Sequence, residues 1–378
     1  MAQRVGHQEM KAATPESELK QTRREWTQTS SILAAMRQTC LVASVFLGAS
    51  SVNADENGTA PSGVLAERTV AAVEEDGPRD RMTPESTLAN LLNHPAFAGH
   101  ARLLLPWDDR AYDETMPISE IGSLLPYHSN VDPDVVVSAL NRMINDADDG
   151  NTIFYDIYTP EEKRAEPGRA NTGLFFFRGR PGAPFAIVAP GGGFAYVGSV
   201  HEGFPYAAEI SKAGYNAFVL KYRVGSGGGV ATEDLAAALA YVFRNADALD
   251  VSTADYSLWG SSAGARMAAA IGSHGAAAFG GGDLPKPSAV VMAYTGHSDM
   301  SANEPPTFVV VGERDGIAPP SAMERRVAAL RKTGTEVAYR KYQNLGHGFG
   351  PGTGTSAEGW IADAVRFWEK FIKPGSVQ

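Results

Sequence analysis

The chain carries Gly260-Ser261-Ser262-Ala263-Gly264 between an apolar run and an alanine-rich run. The apolar residues 256–259 predict a strand, and residues 265–270 predict a helix. A Gly-x-Ser-x-Gly pattern at a strand-to-helix junction is typical of a sharp turn that exposes a nucleophilic serine. The glycines let two backbones approach closely, and the helix directs the positive end of its dipole at the reaction centre. We therefore predict Ser262 as a nucleophile on a strained turn.

A serine hydroxyl needs a base, and the base needs a carboxylate that orients it. In folds that use this turn, the acid and then the histidine follow the serine along the chain. Residues 307–312 predict a buried strand that leads to Asp315, and residues 336–342 predict a strand that leads to His347. Both side chains then lie at the sheet edge where open α/β sheets bind ligands. We expect Asp315 as the acid and His347 as the base.

Other residues compete for these two roles. Glu313 lies two residues before Asp315 and is an alternative acid. His297 is an alternative base, although it precedes the predicted acid strand and therefore breaks the chain order. The remaining histidines show no metal-ligand spacing, so we expect no metal and no cofactor.

A glycine run, Gly191-Gly192-Gly193, follows the predicted strand 185–189. Acyl transfer passes through an oxyanion, which preorganised backbone N–H groups stabilise. We assign this role to the N–H groups of Gly192, Gly193 and Ala263, the residue after the serine. A phosphate-binding loop is the alternative, but the run lacks a Gly-Lys-Ser/Thr ending and the spacing of a dinucleotide-binding turn.

Residues 152–371 resemble the esterases and lipases of the α/β-hydrolase superfamily, nearest to the hormone-sensitive-lipase-like and the acetyl-xylan and feruloyl esterase-like branches. Besides the motifs above, residues 201–205 and 214–223 are similar to the helix and strand that follow the oxyanion loop in those enzymes. Pro190 departs from the histidine that such families often carry before the glycines. The resemblance implies an α/β-hydrolase fold with a mostly parallel central sheet flanked by helices. It also implies hydrolysis of short-chain acyl esters, including acetyl or feruloyl esters of carbohydrates.

Two other functions stay open. A serine peptidase or amidase would use the same residues on an amine leaving group, and a non-catalytic binding protein would keep only the fold. No predicted member of the Ser-His-Asp set is missing, which argues against a binding protein. Serine rather than cysteine at position 262 argues against a dienelactone-hydrolase type of enzyme.

Residues next to the predicted catalytic loops are candidates for substrate contacts. We predict such contacts for Phe194, Tyr196, Glu202 and Phe349. His201 is a further candidate, and for His201 and Glu202 the alternative is a role at the start of a helix.

Charge and composition narrow the partners. The formal net charge of −10 argues against nucleic acid or an anionic membrane as a partner, since neither attracts an acidic protein. A small-molecule or carbohydrate ester remains the expected substrate. The sequence leaves the oligomeric state open.

The N-terminus predicts export. Residues 40–50 form an apolar stretch of signal-peptide length, and Val52-Asn53-Ala54 is typical of a cleavage site. We expect translation to start at Met36, residues 1–54 to be an extension with a signal peptide, and the mature protein to be secreted or periplasmic. Cleavage would remove Cys40, the sole cysteine. The alternative is a cytoplasmic protein with a polar leader.

The rest of the chain divides into three predicted parts. Residues 55–82 predict a disordered linker, 83–150 a small helical cap or brace, and 151–374 the catalytic domain. In the brace we expect a helix at 84–92 with Thr83 as N-cap, an apolar packing motif at 103–107, and a helix that starts at Asp132-Pro133. In the catalytic domain we expect further strands at 153–158, 174–177, 216–222 and 289–294, helices at 233–245, 320–333 and 358–373, and glycine-rich loops at 225–230 and 272–282.

Overall fold

The computed structural model describes residues 81–373. The predicted signal peptide, the predicted start at Met36 and most of the predicted linker lie outside the described residues. Met82, the last residue of that predicted linker, is an exception. Its side chain is buried and its N–H donates to Asn141 Oδ1 at 2.8 Å, so it packs with the residues that follow it.

An eight-stranded sheet forms the centre of the molecule. The strands are β1 Phe154–Tyr155, β2 Gly173–Phe177, β3 Pro184–Ala189, β4 Asn216–Lys221, β5 Ser252–Ser261, β6 Ala289–Ala293, β7 Thr307–Gly312 and β8 Val337–Tyr342. They are hydrogen-bonded in the order β1-β2-β4-β3-β5-β6-β7-β8. β2 is antiparallel to β1 and β4, and all other neighbours are parallel. Apolar runs form the central strands because a parallel sheet is covered on both faces.

The direction of winding reverses at β3, which is hydrogen-bonded to β4 on one side and to β5 on the other. Open α/β sheets bind ligands in the crevice at such a switch point, beyond the carboxyl ends of the strands. In this chain the loops that leave this point are the glycine run after β3 and the Ser262 turn after β5.

Helices cover both faces of the sheet. The α-helices are α1 Leu88–Leu92, α2 Pro133–Asp148, α3 Pro160–Ala165, α4 Phe204–Lys212, α5 Gly228–Arg244, α6 Ala246–Leu249, α7 Ala263–His274, α8 Pro320–Lys332 and α9 Trp360–Glu369. One apolar core includes residues of α2, α4 and α9, and the other includes residues of α5, α7 and α8. Within residues 81–373, no helix is both long and apolar enough to cross a bilayer.

The N-terminal segment, from residue 81 to residue 150, packs on the sheet and its helices without a core of its own. Its helix α2 starts as predicted, with Asp132 accepting a hydrogen bond from Asp134 N–H, and it packs against α4. The side chain of Trp107 lies 4.6 Å from the ring of Tyr196, centroid to centroid. The buried ammonium group of Lys221, on β4, donates to the carbonyl of Leu105 at 2.9 Å. The apolar residues of this segment therefore belong to the core on one face of the sheet.

Several predicted element boundaries were wrong. The N-cap of α1 is Thr87, not Thr83, because Thr87 and Asn90 form a reciprocal capping box. The predicted loop 225–230 already contains the first turn of α5, which Thr232 Oγ1 supports by donating to Gly228 O at 2.8 Å. The predicted loop 272–282 contains the end of α7 and a 3₁₀ turn at Ala276–Phe279.

The predicted strand 153–158 pairs over only two residues, Phe154–Tyr155. The chain then leaves the sheet, because the hydroxyl of Tyr158 donates to the buried carboxylate of Asp234 at 2.5 Å. That carboxylate also accepts hydrogen bonds from Arg223. A polar network therefore ends the strand where apolar periodicity alone predicts that it continues.

Candidate active site

Ser262 lies on the turn between β5 and α7 with φ of 50° and ψ of −111°, a backbone conformation that non-glycine residues rarely adopt. Both flanking glycines are needed for this turn. A Cβ atom at Gly264 would lie 1.8 Å from the carbonyl oxygen of Ala189, and one at Gly260 would lie 2.3 Å from the carbonyl carbon of Gly264. The strained turn expected from the Gly-x-Ser-x-Gly pattern is present in the structure.

The structure brings Ser262, His347 and Asp315 together from the ends of three strands. Ser262 Oγ lies 2.9 Å from His347 Nε2, and His347 Nδ1 lies 2.8 Å from Asp315 Oδ2. Asp315 is 4% and His347 8% exposed. The other carboxylate oxygen of Asp315 accepts the N–H groups of Ile317 at 2.9 Å and Ala318 at 2.7 Å. The carboxylate is therefore held in one orientation, with a single oxygen towards the imidazole.

The two competing residues lie elsewhere. Glu313 is exposed and accepts the N–H of Asn344 at 3.2 Å, whereas His347 is hydrogen-bonded to Asp315. His297 is buried, and burial together with the charges of Arg326 and Arg266 lowers its pKa well below the ordinary value. Ser262 Oγ is hydrogen-bonded to His347 instead.

The glycine run after β3 forms a turn beside Ser262. A Cβ atom at Gly191 would lie 3.0 Å from Ser262 Cβ, so the run touches the serine. Gly192 and Gly193 have φ values of 132° and 64°, a region that favours glycine. Among the hydrogen bonds of residues 81–373, none uses the N–H of Gly192, Gly193 or Ala263, and Ala263 is the first residue of a helix, where N–H groups lack intrahelical acceptors. These three N–H groups are thus available to a ligand.

Glu202 is completely buried beneath this turn. Its Oε2 accepts the Gly191 N–H at 2.6 Å, and its Oε1 accepts the Tyr294 hydroxyl at 2.7 Å and lies 3.0 Å from His128 Nε2. Burial by itself would raise the pKa of Glu202, but the interactions with His128 and the hydrogen bond from Tyr294 lower it to about 2. The side chain is therefore a carboxylate at neutral pH.

The structure corrects most of the predicted substrate contacts. Tyr196, Glu202 and Phe349 have no exposed surface, because each is packed in the core or hydrogen-bonded to protein groups. His201 is also buried, with Nε2 3.1 Å from the Gly348 carbonyl oxygen, and burial lowers its pKa to about 4. Of this predicted set, Phe194 alone keeps a partly exposed side chain.

The N-terminal segment contributes contacts to the site that the sequence did not predict. Tyr127, His128 and Ser129 reach the loops that carry His347 and the glycine run. Ser129 Oγ donates to the carbonyl of His347 at 2.8 Å, across 218 positions of the chain. A polar tripeptide before a helix carries no sequence pattern that identifies such a contact.

This strand order, with a serine on the strained turn after β5, is the α/β-hydrolase fold. The chain therefore has the fold and the turn serine that are typical of serine hydrolases. Family models support this class: the BD-FAE family matches residues 178–286, and the prolyl oligopeptidase family matches residues 282–375. Sequence comparison with curated proteins finds no match.

Several solved structures are similar to the chain at low sequence identity. An acetyl ester-xyloside bifunctional hydrolase from Caldicellulosiruptor lactoaceticus is 20% identical, with a TM-score of 0.51, over 58% of this chain and 97% of its own. An α/β hydrolase from a Medee basin deep-sea metagenome library is 23% identical, with a TM-score of 0.45, over 53% and 92%. Esterase 2 of Thermogutta terrifontis with bound propionate is 18% identical, with a TM-score of 0.46, over 54% and 91%.

Proposed function

We propose that the protein is a serine carboxylic-ester hydrolase that acts on short-chain acyl esters. The observation that carries this proposal is the continuous hydrogen-bonded chain from Asp315 through His347 to Ser262 Oγ, at the carboxyl edge of the sheet. A structural role for these three residues would not need the strained backbone at Ser262, since such strain costs about 1–3 kcal/mol and usually occurs at functional sites.

The geometry supports a two-step acyl transfer. With the proton on His347 Nδ1 held by Asp315, Nε2 accepts the hydroxyl proton of Ser262 while Oγ attacks the acyl carbon. The N–H groups of Gly192, Gly193 and Ala263 stabilise the oxyanion, and the loss of one such donor typically costs about 10²–10³ in kcat. The imidazolium then protonates the leaving alcohol as the C–O bond breaks. Water repeats the sequence on the acyl-enzyme and releases the acid and free Ser262.

We further propose acetyl or feruloyl esters of carbohydrates as the substrate class. Support comes from the resemblance to acetyl-xylan and feruloyl esterases and from the BD-FAE family match over residues 178–286. A parallel assay of acetylated xylan, a methyl ferulate and p-nitrophenyl acetate tests this point. Turnover of p-nitrophenyl acetate without release of acetate or ferulate from the natural esters would restrict the proposal to simple esters.

A peptidase or amidase is the second candidate, because the prolyl oligopeptidase family matches residues 282–375, which include Asp315 and His347. Such an enzyme would use the same residues but would protonate an amine in the leaving group. Aminoacyl p-nitroanilides distinguish the two candidates. A higher kcat/KM on these amides than on p-nitrophenyl esters would favour the peptidase.

The first experiment compares the full-length chain with Ser262→Ala, His347→Ala and the control Ser356→Ala on p-nitrophenyl acetate, butyrate and octanoate. Ser356 is exposed, so the same chemical change there leaves the site intact. We expect a preference for acetate or butyrate, an initial burst, and loss of turnover in Ser262→Ala and His347→Ala only. An active His347→Ala variant would mean that another residue is the base.

We also propose that the protein is exported to the periplasm or the medium, on the basis of the apolar residues 40–50 and the small residues before Asp55. Expression of the full chain in a bacterial host, followed by intact mass measurement of each cell fraction, tests this proposal. A mature N-terminus at Asp55 in an exported fraction is the expected result. An uncleaved chain retained in the cytoplasm would contradict it.

A further inference from the structure

The tripeptide Tyr127-His128-Ser129, here called the 127–129 turn, is wedged against the loop that carries His347. Ser129 Oγ donates to the His347 carbonyl at 2.8 Å, and Ser129 N–H donates to the Gly348 carbonyl at 2.9 Å. The fit is close, because a Cβ atom at Gly348 would lie 2.4 Å from the carbonyl oxygen of Tyr127. The backbone on the C-terminal side of the candidate base is therefore fixed by a segment far away in sequence.

The same turn contacts the loop that carries the glycine run. The hydroxyl of Tyr196 lies 2.9 Å from His128 Nδ1 and accepts the Tyr127 N–H at 3.1 Å. A Cβ atom at Gly193 would lie 3.2 Å from the Tyr127 ring, and one at Gly198 would lie 2.8 Å from His128 Nε2. The turn thus joins the two loops whose relative position decides whether base and oxyanion donors face one substrate.

Glu202 carries this connection to the oxyanion donors. One of its oxygens faces His128 Nε2 and the Tyr294 hydroxyl, and the other accepts the N–H of Gly191, the residue before Gly192. Each oxygen therefore faces at least one donor in the buried site. Such an arrangement sets the orientation of the peptide that leads into the turn formed by Gly191-Gly192-Gly193, here called the oxyanion turn. Oxyanion donors act only when they are held in place before the reaction.

We propose that the 127–129 turn is a part of the active site supplied by the N-terminal segment, and that His128 and Glu202 are positioning residues which hold the oxyanion turn in its productive geometry. The proposal deepens the esterase function proposed above and rests on it. Neither residue touches the reacting atoms; both act through the Gly191 N–H and the loop it begins.

The test replaces Glu202 by glutamine in the full-length chain. A glutamine keeps the size of the side chain but turns one of the two oxygens into an NH₂ group, which must then face an existing donor. Glu209→Gln on α4 is the matched control, since Glu209 is exposed. The measurements are kcat and KM on p-nitrophenyl acetate, the rate at which a fluorophosphonate labels Ser262, and the thermal unfolding midpoint.

We expect kcat of Glu202→Gln to fall by about 10²-fold, the order found when an oxyanion donor is lost, with KM within a few-fold of the wild type. The phosphonylation rate should fall in parallel, because the phosphonyl oxygen accepts hydrogen bonds from the same N–H groups as the oxyanion. Glu209→Gln should match the wild type in all three measurements. A merely structural role would lower the unfolding midpoint and leave kcat of the folded protein unchanged, and that result would overturn the proposal.

His128 supplies a second test that does not depend on how Glu202→Gln folds. His128→Gln keeps an N–H donor near Glu202, whereas His128→Leu removes it. We expect His128→Gln to retain more kcat than His128→Leu, and equal kcat values in the two variants would count against the connection. If the wild type hydrolyses no ester, the proposed function fails, yet the relative phosphonylation rates of the same variants still decide the positioning role.

Discussion

Asp315→Asn is the substitution whose outcome the structure determines most closely. In the wild type, Oδ1 accepts two backbone N–H groups, from Ile317 at 2.9 Å and Ala318 at 2.7 Å, and Oδ2 faces His347 Nδ1 at 2.8 Å. The asparagine oxygen must take the Oδ1 position, because an NH₂ group there would oppose two donors. The NH₂ group is then directed at His347 Nδ1.

This placement changes the tautomer of the imidazole. An NH₂ group donates to Nδ1, so Nδ1 becomes an acceptor and the proton moves to Nε2. A protonated Nε2 cannot accept the hydroxyl proton of Ser262, which lies 2.9 Å away. The same substitution in a well-characterised Ser-His-Asp hydrolase lowers kcat by about 10⁴, which corresponds to about 5 kcal/mol of transition-state stabilisation. We expect a loss of that order here, with little effect on folding.

The assay is kcat on p-nitrophenyl acetate, with Glu313→Gln as the matched control. Glu313 is exposed two residues before Asp315, and its carboxylate accepts the Asn344 N–H at 3.2 Å. Glu313→Gln should retain the wild-type kcat. An Asp315→Asn variant that keeps more than about a tenth of the wild-type kcat would refute the tautomer argument, because the same substitution lowers kcat by about 10⁴ in a well-characterised Ser-His-Asp hydrolase. A large loss in Glu313→Gln instead would identify Glu313 as the acid.

Two further predictions concern stability. Gly264→Ala places a Cβ atom 1.8 Å from the Ala189 carbonyl oxygen, so β3 and α7 must separate, and we expect denaturant unfolding to show a loss of several kcal/mol and assays to show a loss of most activity. The control Gly229→Ala, at a position with open space around it, should be nearly neutral. A stable and active Gly264→Ala variant would contradict the packing. The second concerns acid. Glu202 has a folded pKa of about 2 against an ordinary 4.5, so the unfolded chain binds its proton first and the stability present above about pH 4.5 is lost as the pH falls towards 2. His201 is neutral in the folded protein, with a pKa of about 4 against an ordinary 6.5, and causes a separate loss of stability as the pH falls between those two values. Glu202→Gln should therefore reduce the pH dependence of the unfolding free energy only below about pH 4.5. Parallel plots of unfolding free energy against pH for variant and wild type in that range would contradict this prediction.

The sequence alone determined the features that lie within short stretches of chain. The residues around Ser262 predict a strand, a turn that only flanking glycines allow, and a helix, and the structure has all three. Asp315 and His347 were placed at strand ends from apolar runs, and parallel strands bring their carboxyl ends to one edge of the sheet. Local patterns and one topological rule were sufficient for this part of the site.

Boundaries were less predictable, because hydrogen bonds outside the periodic pattern decide them. Tyr158 leaves the sheet to reach Asp234, and Thr87 rather than Thr83 begins α1 because Asn90 completes its capping box. The sequence contains Asp234 and Asn90, but it does not show which polar groups they will bind. That choice depends on which of several polar groups lies within hydrogen-bond distance once the backbone has folded.

The surroundings of the candidate catalytic residues depend on contacts between distant parts of the chain. Glu202 and Tyr196 were expected to face substrate because they lie close to the glycine run in the sequence, but the packing of the 127–129 turn against them buries both. The contact between Ser129 and the His347 loop joins residues 218 positions apart. Sequence patterns indicate the hydrophobic periodicity and the polarity of each element. The burial of a side chain and its hydrogen-bond partners depend on how distant elements are placed against one another. The type of site was therefore predictable from the chain, and the residues that hold it in position were not.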